Sequence, residues 1–182
     1  RRLQVGFNRR FAPLAVRARD FFRGVPEPLV LNYRVGAGFI PKDHWTQTGE
    51  GGGRILGEVC HFIDFLQFMA GSEPVRVSAE CVANPNTRAK NQDNVAITIA
   101  FRNGSVGLVT YVACGDRLLA KERIEIFGGE RSFIINDFRT ADVYVGGKLK
   151  KVKGLGKGHK EEIDQFIASI REGRPSPIPL ES

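Results

Sequence analysis

The period of the hydrophobic pattern changes along this chain. From residue 51 to 69 the sequence GGGRILGEVCHFIDFLQFM, wound at about 100° per residue, is apolar around most of its circumference. Such a helix is enclosed by its surroundings rather than laid on a surface. A wedge about 120° wide on that wheel holds Arg54, Gly57, Glu58, His61 and Asp64. From Pro74 onward the period falls to two. Val75, Val77, Ala79 and Cys81 alternate with Arg76, Ser78 and Glu80, and Val95, Ile97, Ile99 and Phe101 alternate with Ala96, Thr98 and Ala100. Asn103-Gly104 is a hairpin turn. Further strands are predicted at residues 106–112, 123–127, 131–135 and 143–145. Upstream, residues 3–7 and 29–35 read as strands, and residues 13–22 as a helix with Leu14, Ala15, Ala18, Phe21 and Phe22 inward, stopped by Gly24 and Pro26. A helix over residues 160–172 places Ile163, Phe166, Ile167 and Ile170 on one side and is closed by Gly173 and Pro175. The class is α+β: an open antiparallel β-sheet of about five to seven strands with helices packed on one face.

Composition narrows this only a little. With 182 residues, 42% of them hydrophobic and 26% charged, the chain supports one core, or one core plus a fragment of another. No apolar run reaches the ~20 residues of a membrane span, and no leader pattern is present. The first residue is Arg1, leading straight into a strand pattern, so the expectation is a chain cut from something larger. Cys60, Cys81 and Cys114 are widely spaced and sit in apolar settings. They are expected to be buried, reduced thiols of a cytoplasmic protein. The net charge of +7 comes from arginines between Arg1 and Arg23 and from Lys148, Lys150, Lys151, Lys153, Lys157 and Lys160. No aromatic residues are interleaved for base stacking, so the lysines read as solvated and no nucleic acid is expected. Polyanion binding by the lysines is the weaker alternative.

Candidate chemistry centres on His61, with Glu58 and Asp64 at i−3 and i+3. It is either a satisfied core histidine or a group that passes a proton near neutral pH. Glu58 and Asp64 either orient it or pair with Arg54. The long loop 36–50 carries Lys42, Asp43, His44 and Trp45; His44 and Trp45 either wall a pocket or pack on the surface. The run Gly51-Gly52-Gly53 is a flexible helix entry, or backbone that a ligand approaches closely. Neither this run nor Gly154-x-Gly156-x-Gly158 has the G-x-G-x-x-G spacing, so the chain carries no dinucleotide fingerprint. His44, His61 and the carboxylates are too scattered to assert a metal site.

Val5-Gly6-Phe7-Asn8-Arg9-Arg10-Phe11-Ala12-Pro13, the glycine run followed by His61-Phe62-Ile63-Asp64, and then the sheet resemble the C-terminal part of the Gfo/Idh/MocA oxidoreductases. The resemblance covers essentially the whole chain. It implies a dihydrodipicolinate-reductase-like C-terminal domain. Residues 1–25 would be the last strand and connecting helix of a truncated Rossmann domain, and residues 26–182 a substrate-binding and oligomerisation domain. It further implies NAD or NADP bound by the missing N-terminal domain, a sugar- or polyol-like substrate, and a homo-oligomer formed through the open sheet face. His61 would be the proton-transferring residue, Asp64 a substrate or support residue, and Glu58, Lys42, His44, Trp45 and Gly52 would line the substrate. The isolated chain is expected to be inactive. Two departures stand out. Gly57 occupies the position, four before the His, where many members have an Asp, with Glu58 beside it. The Lys of a Glu-Lys-Pro motif belongs to the N-terminal domain and is absent. The rival reading is a non-catalytic, sheet-mediated assembly or ligand-sensing module.

Overall fold

The structure is a computed structural model that describes residues 2–83 and 88–179. Its strands are β1 (Val30–Gly36), β2 (Pro74–Cys81), β3 (Asn94–Phe101), β4 (Val106–Val112), β5 (Glu122–Gly128), β6 (Arg131–Asn136), β7 (Thr140–Val145) and β8 (Lys148–Lys153). All eight join one sheet in the order β2-β3-β4-β1-β5-β6-β7-β8. The helices are α1 (Pro13–Phe22), α2 (Cys60–Ala70) and α3 (His159–Arg171), and a π-helical turn, Ile55–Val59, runs into α2.

Alternation selects which side chains face the helices. Leu31, Tyr33 and Val35 of β1 are buried in phase, as are Val109 and Tyr111 of β4 and Ile124 and Ile126 of β5. Phe62, Phe65, Leu66 and Met69 of α2 and Leu14, Ala15, Ala18 and Phe22 of α1 close on this face as one core. The approach is tight at Gly107, where a Cβ would lie 2.9 Å from Leu66 Cδ1 and 3.2 Å from Phe101 Cε2. Among the described residues no helix lies on the opposite face. The register runs Ala100, Val106, Val30, Phe127, Ser132, Tyr144, Leu149 in one row across the strands. Val30, Phe127, Tyr144 and Leu149 of this mostly apolar row are exposed.

The α+β open sheet with helices on one face is the expected class, with four differences. First, the sheet has eight strands rather than about five to seven, and β1 pairs with β4 in parallel, so it is mixed rather than wholly antiparallel. The chain leaves β1, builds α2, β2 and β3 on the far side, and returns beside β1 in the same direction. Second, residues 148–153 form the edge strand β8, where lysines discourage a further strand from adding. Third, residues 3–7 are not a strand. No strand runs beside them among the described residues; Arg2 Nη1 instead donates to the Ser169 and Arg174 carbonyls at 2.7 and 2.6 Å, and Gln4 accepts from Ser176 Oγ at 3.0 Å. Fourth, Cys81 and Cys114 are exposed and Cys60 is half-buried, not the buried thiols expected. β2 lies beyond the helix layer, with every residue exposed, and Cys114 follows β4 into an exposed loop. Arg1 lies outside the described residues.

Asn8–Phe11 is a 3-10 turn leading into α1, and Gly158 packs against it. A Cβ on Gly158, whose φ is +88°, would lie 2.3 Å from Asn8 O and 2.5 Å from Ala12 N. Gly158→Ala is therefore expected to cost more than about 2 kcal/mol, from left-handed strain plus a backbone clash. Chemical denaturation measures it, and a change within about 0.5 kcal/mol would contradict this packing.

Candidate active site

The titratable wedge on the helical wheel does not survive as one stripe. The π-helical turn inserts an extra residue into the winding just before α2. Arg54 and Glu58 therefore turn toward the end of β1, whereas His61 and Asp64 face the N-terminal segment. Arg54 donates to the Gly38 and Ala37 carbonyls at 2.7 and 3.0 Å and to Glu58 at 2.9 Å. Glu58 also accepts from Tyr111 OH and Lys121 Nζ, each at 2.5 Å. Burial pushes the Glu58 carboxyl up, but Lys121, Tyr111 and Arg54 outweigh it and hold the pKa at about 2. Glu58 is an anion whose acceptor capacity is already largely used.

Asp64 accepts from Arg10 Nε at 3.0 Å and makes a second, shorter contact with Arg10 Nη2. Its side chain is nearly inaccessible. His61 is different. The Phe7 ring meets its imidazole edge-to-face at 5.5 Å between centroids, and Nδ1 is buried with no hydrogen-bond partner among the described residues. Burial, then the Arg9 charge and His159, lower the His61 pKa, against the opposing pull of Glu58 and Glu122. The lowered pKa favours the neutral imidazole, the form that can accept a proton.

Beneath this pair lies a cluster that sequence reasoning missed. Glu122, with a fully buried side chain, accepts from Arg9 Nε at 2.7 Å, Arg9 Nη2 at 3.1 Å, Tyr33 OH at 2.5 Å and Lys157 Nζ at 2.6 Å. Burial opposes its ionisation, yet these donors bring its pKa to about 2. The Arg9 guanidinium also lies over the Phe62 ring at 4.8 Å, and Asn8 Nδ2 donates to Lys157 O at 2.7 Å. The network fastens the Asn8–Phe11 turn to the sheet and to the approach to α3, and so holds Phe7 against His61. One signal was legible: Glu122 falls in phase with the buried Ile124 and Ile126, an acid at a core position.

The loop candidates lie apart. Lys42, His44 and Trp45 are exposed, Trp45 by 64%. His44 Nδ1 contacts Thr46 Oγ1 at 2.9 Å, and the His44 and Trp45 rings are 6.1 Å apart. Among the described residues no hydrogen bond, ion pair or ring contact joins them to His61. Gly52, with φ +70°, borders a cavity of about 270 Å³ shared with Gln47, Lys90 and Asp93. Gly57 is open: a Cβ there would meet only Gly51 O, at 3.9 Å.

Within the two glycine runs Gly53 and Gly156 face open space, whereas Gly51, Gly154 and Gly158 are packed against backbone. A Cβ on Gly51 would lie 2.5 Å from Trp45 O, one on Gly154 1.9 Å from Phe138 O, and one on Gly158 2.3 Å from Asn8 O. The protein's own backbone fills the space beside those three glycines. Among the described residues no group of three His, Cys, Asp or Glu side chains is placed to hold a metal ion. No helix there is long and apolar enough to cross a membrane.

A family model described as the GFO/IDH/MocA C-terminal domain matches residues 26–134. The uncharacterized oxidoreductase YrbE of Bacillus subtilis is 27% identical over 197 aligned positions, covering 96% of this chain and 54% of YrbE. UDP-N-acetylglucosamine 3-dehydrogenase GnnA from Acidithiobacillus ferrooxidans superposes with a TM-score of 0.74 at 23% identity, over 96% of this chain and 54% of that one. The aldose-aldose oxidoreductase from Caulobacter crescentus, complexed with glycerol, gives 0.80 at 17% identity, over 98% and 56%. These two likenesses speak to the fold. The chain spans about half the length of the relatives it matches.

Proposed function

The chain belongs to the GFO/IDH/MocA oxidoreductase family, and on that premise we propose that it is the substrate-facing part of an NAD- or NADP-dependent sugar or polyol oxidoreductase. Residues 1–25 end the cofactor domain and link it to the substrate-binding and oligomerisation domain, residues 26–182. The observation that supports this reading best is His61, an imidazole on a largely apolar helix, packed edge-to-face on Phe7 with its pKa lowered by burial and by the Arg9 charge. A nicotinamide cofactor, carried by the other domain, would supply the hydride chemistry at the substrate carbon. His61 takes the hydroxyl proton during oxidation and returns it during reduction. Asp64 anchors Arg10 and Glu58 anchors Lys121, so both act as supports at the substrate's edge. Lys42, His44, Trp45 and Gly52, apart from His61 in this structure, are assigned to a loop wall that would face the substrate from outside. The protein works in the cytoplasm.

The test is sugar-dependent reduction of NAD or NADP by the full-length protein, assayed against polyols, aldoses and nucleotide sugars. Cofactor binding without turnover on any of them would overturn the reading, as would micromolar cofactor affinity of the isolated chain. In the oxidative direction kcat/KM is expected to fall on the acid side, because protonated His61 cannot accept a proton. Its pKa is lowered in the folded protein, so this limb lies below the ordinary histidine value of about 6.5. An acid limb above that value would contradict the assignment.

The second reading, a non-catalytic assembly module, is favoured by Gly57 in place of an acid and by the uncovered sheet face. In either case we propose that a second copy covers the row Val30, Phe127, Tyr144 and Leu149. Phe127→Glu is expected to shift the light-scattering mass toward the monomer; an unchanged mass would refute the interface.

A further inference from the structure

A cleft of about 700 Å³ opens where β1 ends, between the crossover from β4 to β5 and the turn from β6 to β7. Gly36 and Gly38 border it on one side, Arg117 and Lys121 come from the crossover, and Asp137 and Arg139 from the turn. Its volume suits a sugar-sized ligand with a substituent. Gly38 leaves open space where a Cβ would project.

The charge around the cleft is unbalanced in a specific way. Glu58 is shared between Arg54 and Lys121, Glu122 between Arg9 and Lys157, and Asp137 between Lys157 and Arg139. Each of these carboxylates thus faces two cations. Asp116 is turned to its own loop, accepting from Leu118 N at 2.8 Å. Arg117 has no partner among the described residues, and the Arg139 side chain is 85% exposed, with its Nε 3.4 Å from Asp137. Positive charge is left over at the rim, on the flexible ends of side chains that can close on a ligand. Lys121 connects this cleft to Glu58, one turn from His61 on the same run of helix.

We propose that the cleft binds an oxyanion of the substrate, phosphate or carboxylate, so that the substrate class is an anionic sugar rather than a neutral polyol. The inference rests on the oxidoreductase reading for the identity of the molecule, but not for the binding itself. Arg117 and Arg139 border the same cleft, and a multiply charged oxyanion offers acceptors for both, with guanidinium groups matching its geometry by paired donors. Lys121, already oriented by Glu58, supplies the inner charge.

The test is titration calorimetry on the full-length protein with inorganic pyrophosphate and, separately, glucuronate; the tighter probe identifies phosphate or carboxylate as the group. The double variant R117A/R139A alters only exposed side chains, so its unfolding temperature should match wild type. Its affinity for the tighter probe is expected to fall at least tenfold at low salt, with a shallower salt dependence. In turnover the same variant should raise KM for an anionic sugar and leave kcat nearly unchanged. Unweakened binding by the variant, or no binding of either anion to wild type, would overturn the proposal. His61→Ala separates it from the reading beneath: anion binding that His61→Ala leaves intact and R117A/R139A weakens supports the cleft even if no sugar is oxidised. Turnover of neutral polyols only, with no anion bound, would sink the cleft and leave the oxidoreductase reading standing.

Discussion

Glu122→Ala is expected to destabilise the protein by about 3–5 kcal/mol, the largest single effect of any side chain outside the hydrocarbon core. Its carboxylate is fully buried and receives Arg9, Tyr33 and Lys157. Removing it leaves the Arg9 guanidinium, with a side chain only 10% exposed, uncompensated, and strands the Tyr33 hydroxyl in the core. The Asn8–Phe11 turn then loses its main anchor to the sheet. Glu122→Gln keeps the volume and part of the hydrogen bonding, so its loss should be smaller. The same network predicts an acid limit. The folded-state pKa of Glu122 is about 2, below its ordinary 4.5, so its contribution is complete above 4.5 and disappears as pH falls from there toward 2. Urea unfolding at neutral pH and at several points in that window measures both effects. A Glu122→Ala loss under about 1 kcal/mol would mean that the pair is not what holds the N-terminal turn.

Much of the architecture was legible because it is written in local periodicity. The alternation at residues 95–101, the Asn103-Gly104 turn and the apolar run of α2 each carry their own signal. β8 escaped because an edge strand with only Val152 turned to the core shows little alternation: Lys148, Lys150, Lys151 and Lys153 look like a solvated linker. The parallel β1–β4 pair escaped because a strand's pattern does not say which neighbour it takes. At the site, His61 was visible as a titratable group in an apolar helix, but its surroundings were not. Arg9 and Glu122 are 113 residues apart, Glu58 and Lys121 63, and Arg10 and Asp64 54. Such pairs are set by topology, which no local window contains. The helical wheel also assumed a constant pitch, and the π-helical turn divides at Val59 what the wheel joined.

The other large effect falls on catalysis. If His61 moves the hydroxyl proton, His61→Ala removes the general acid–base but leaves the fold, since the side chain is half-buried and its Nδ1 has no hydrogen-bond partner among the described residues. The expected loss is about 10²–10⁴ in kcat, on the scale of a missing proton-transfer group. KM should change little, because the substrate is held by the loop wall and the cleft rather than by the imidazole. Among the described residues no hydrogen bond or ion pair joins the Arg9–Glu122 network to the ring, so the unfolding temperature of the variant should stay close to wild type.

The most direct measurement is therefore kcat for the full-length His61→Ala protein on whichever sugar the wild type oxidises, taken alongside its unfolding curve. A drop of about 10²-fold or more in a protein of unchanged stability is the predicted result. A kcat within a few-fold of wild type would show that this helix does not carry the proton transfer and that His61 is a core histidine.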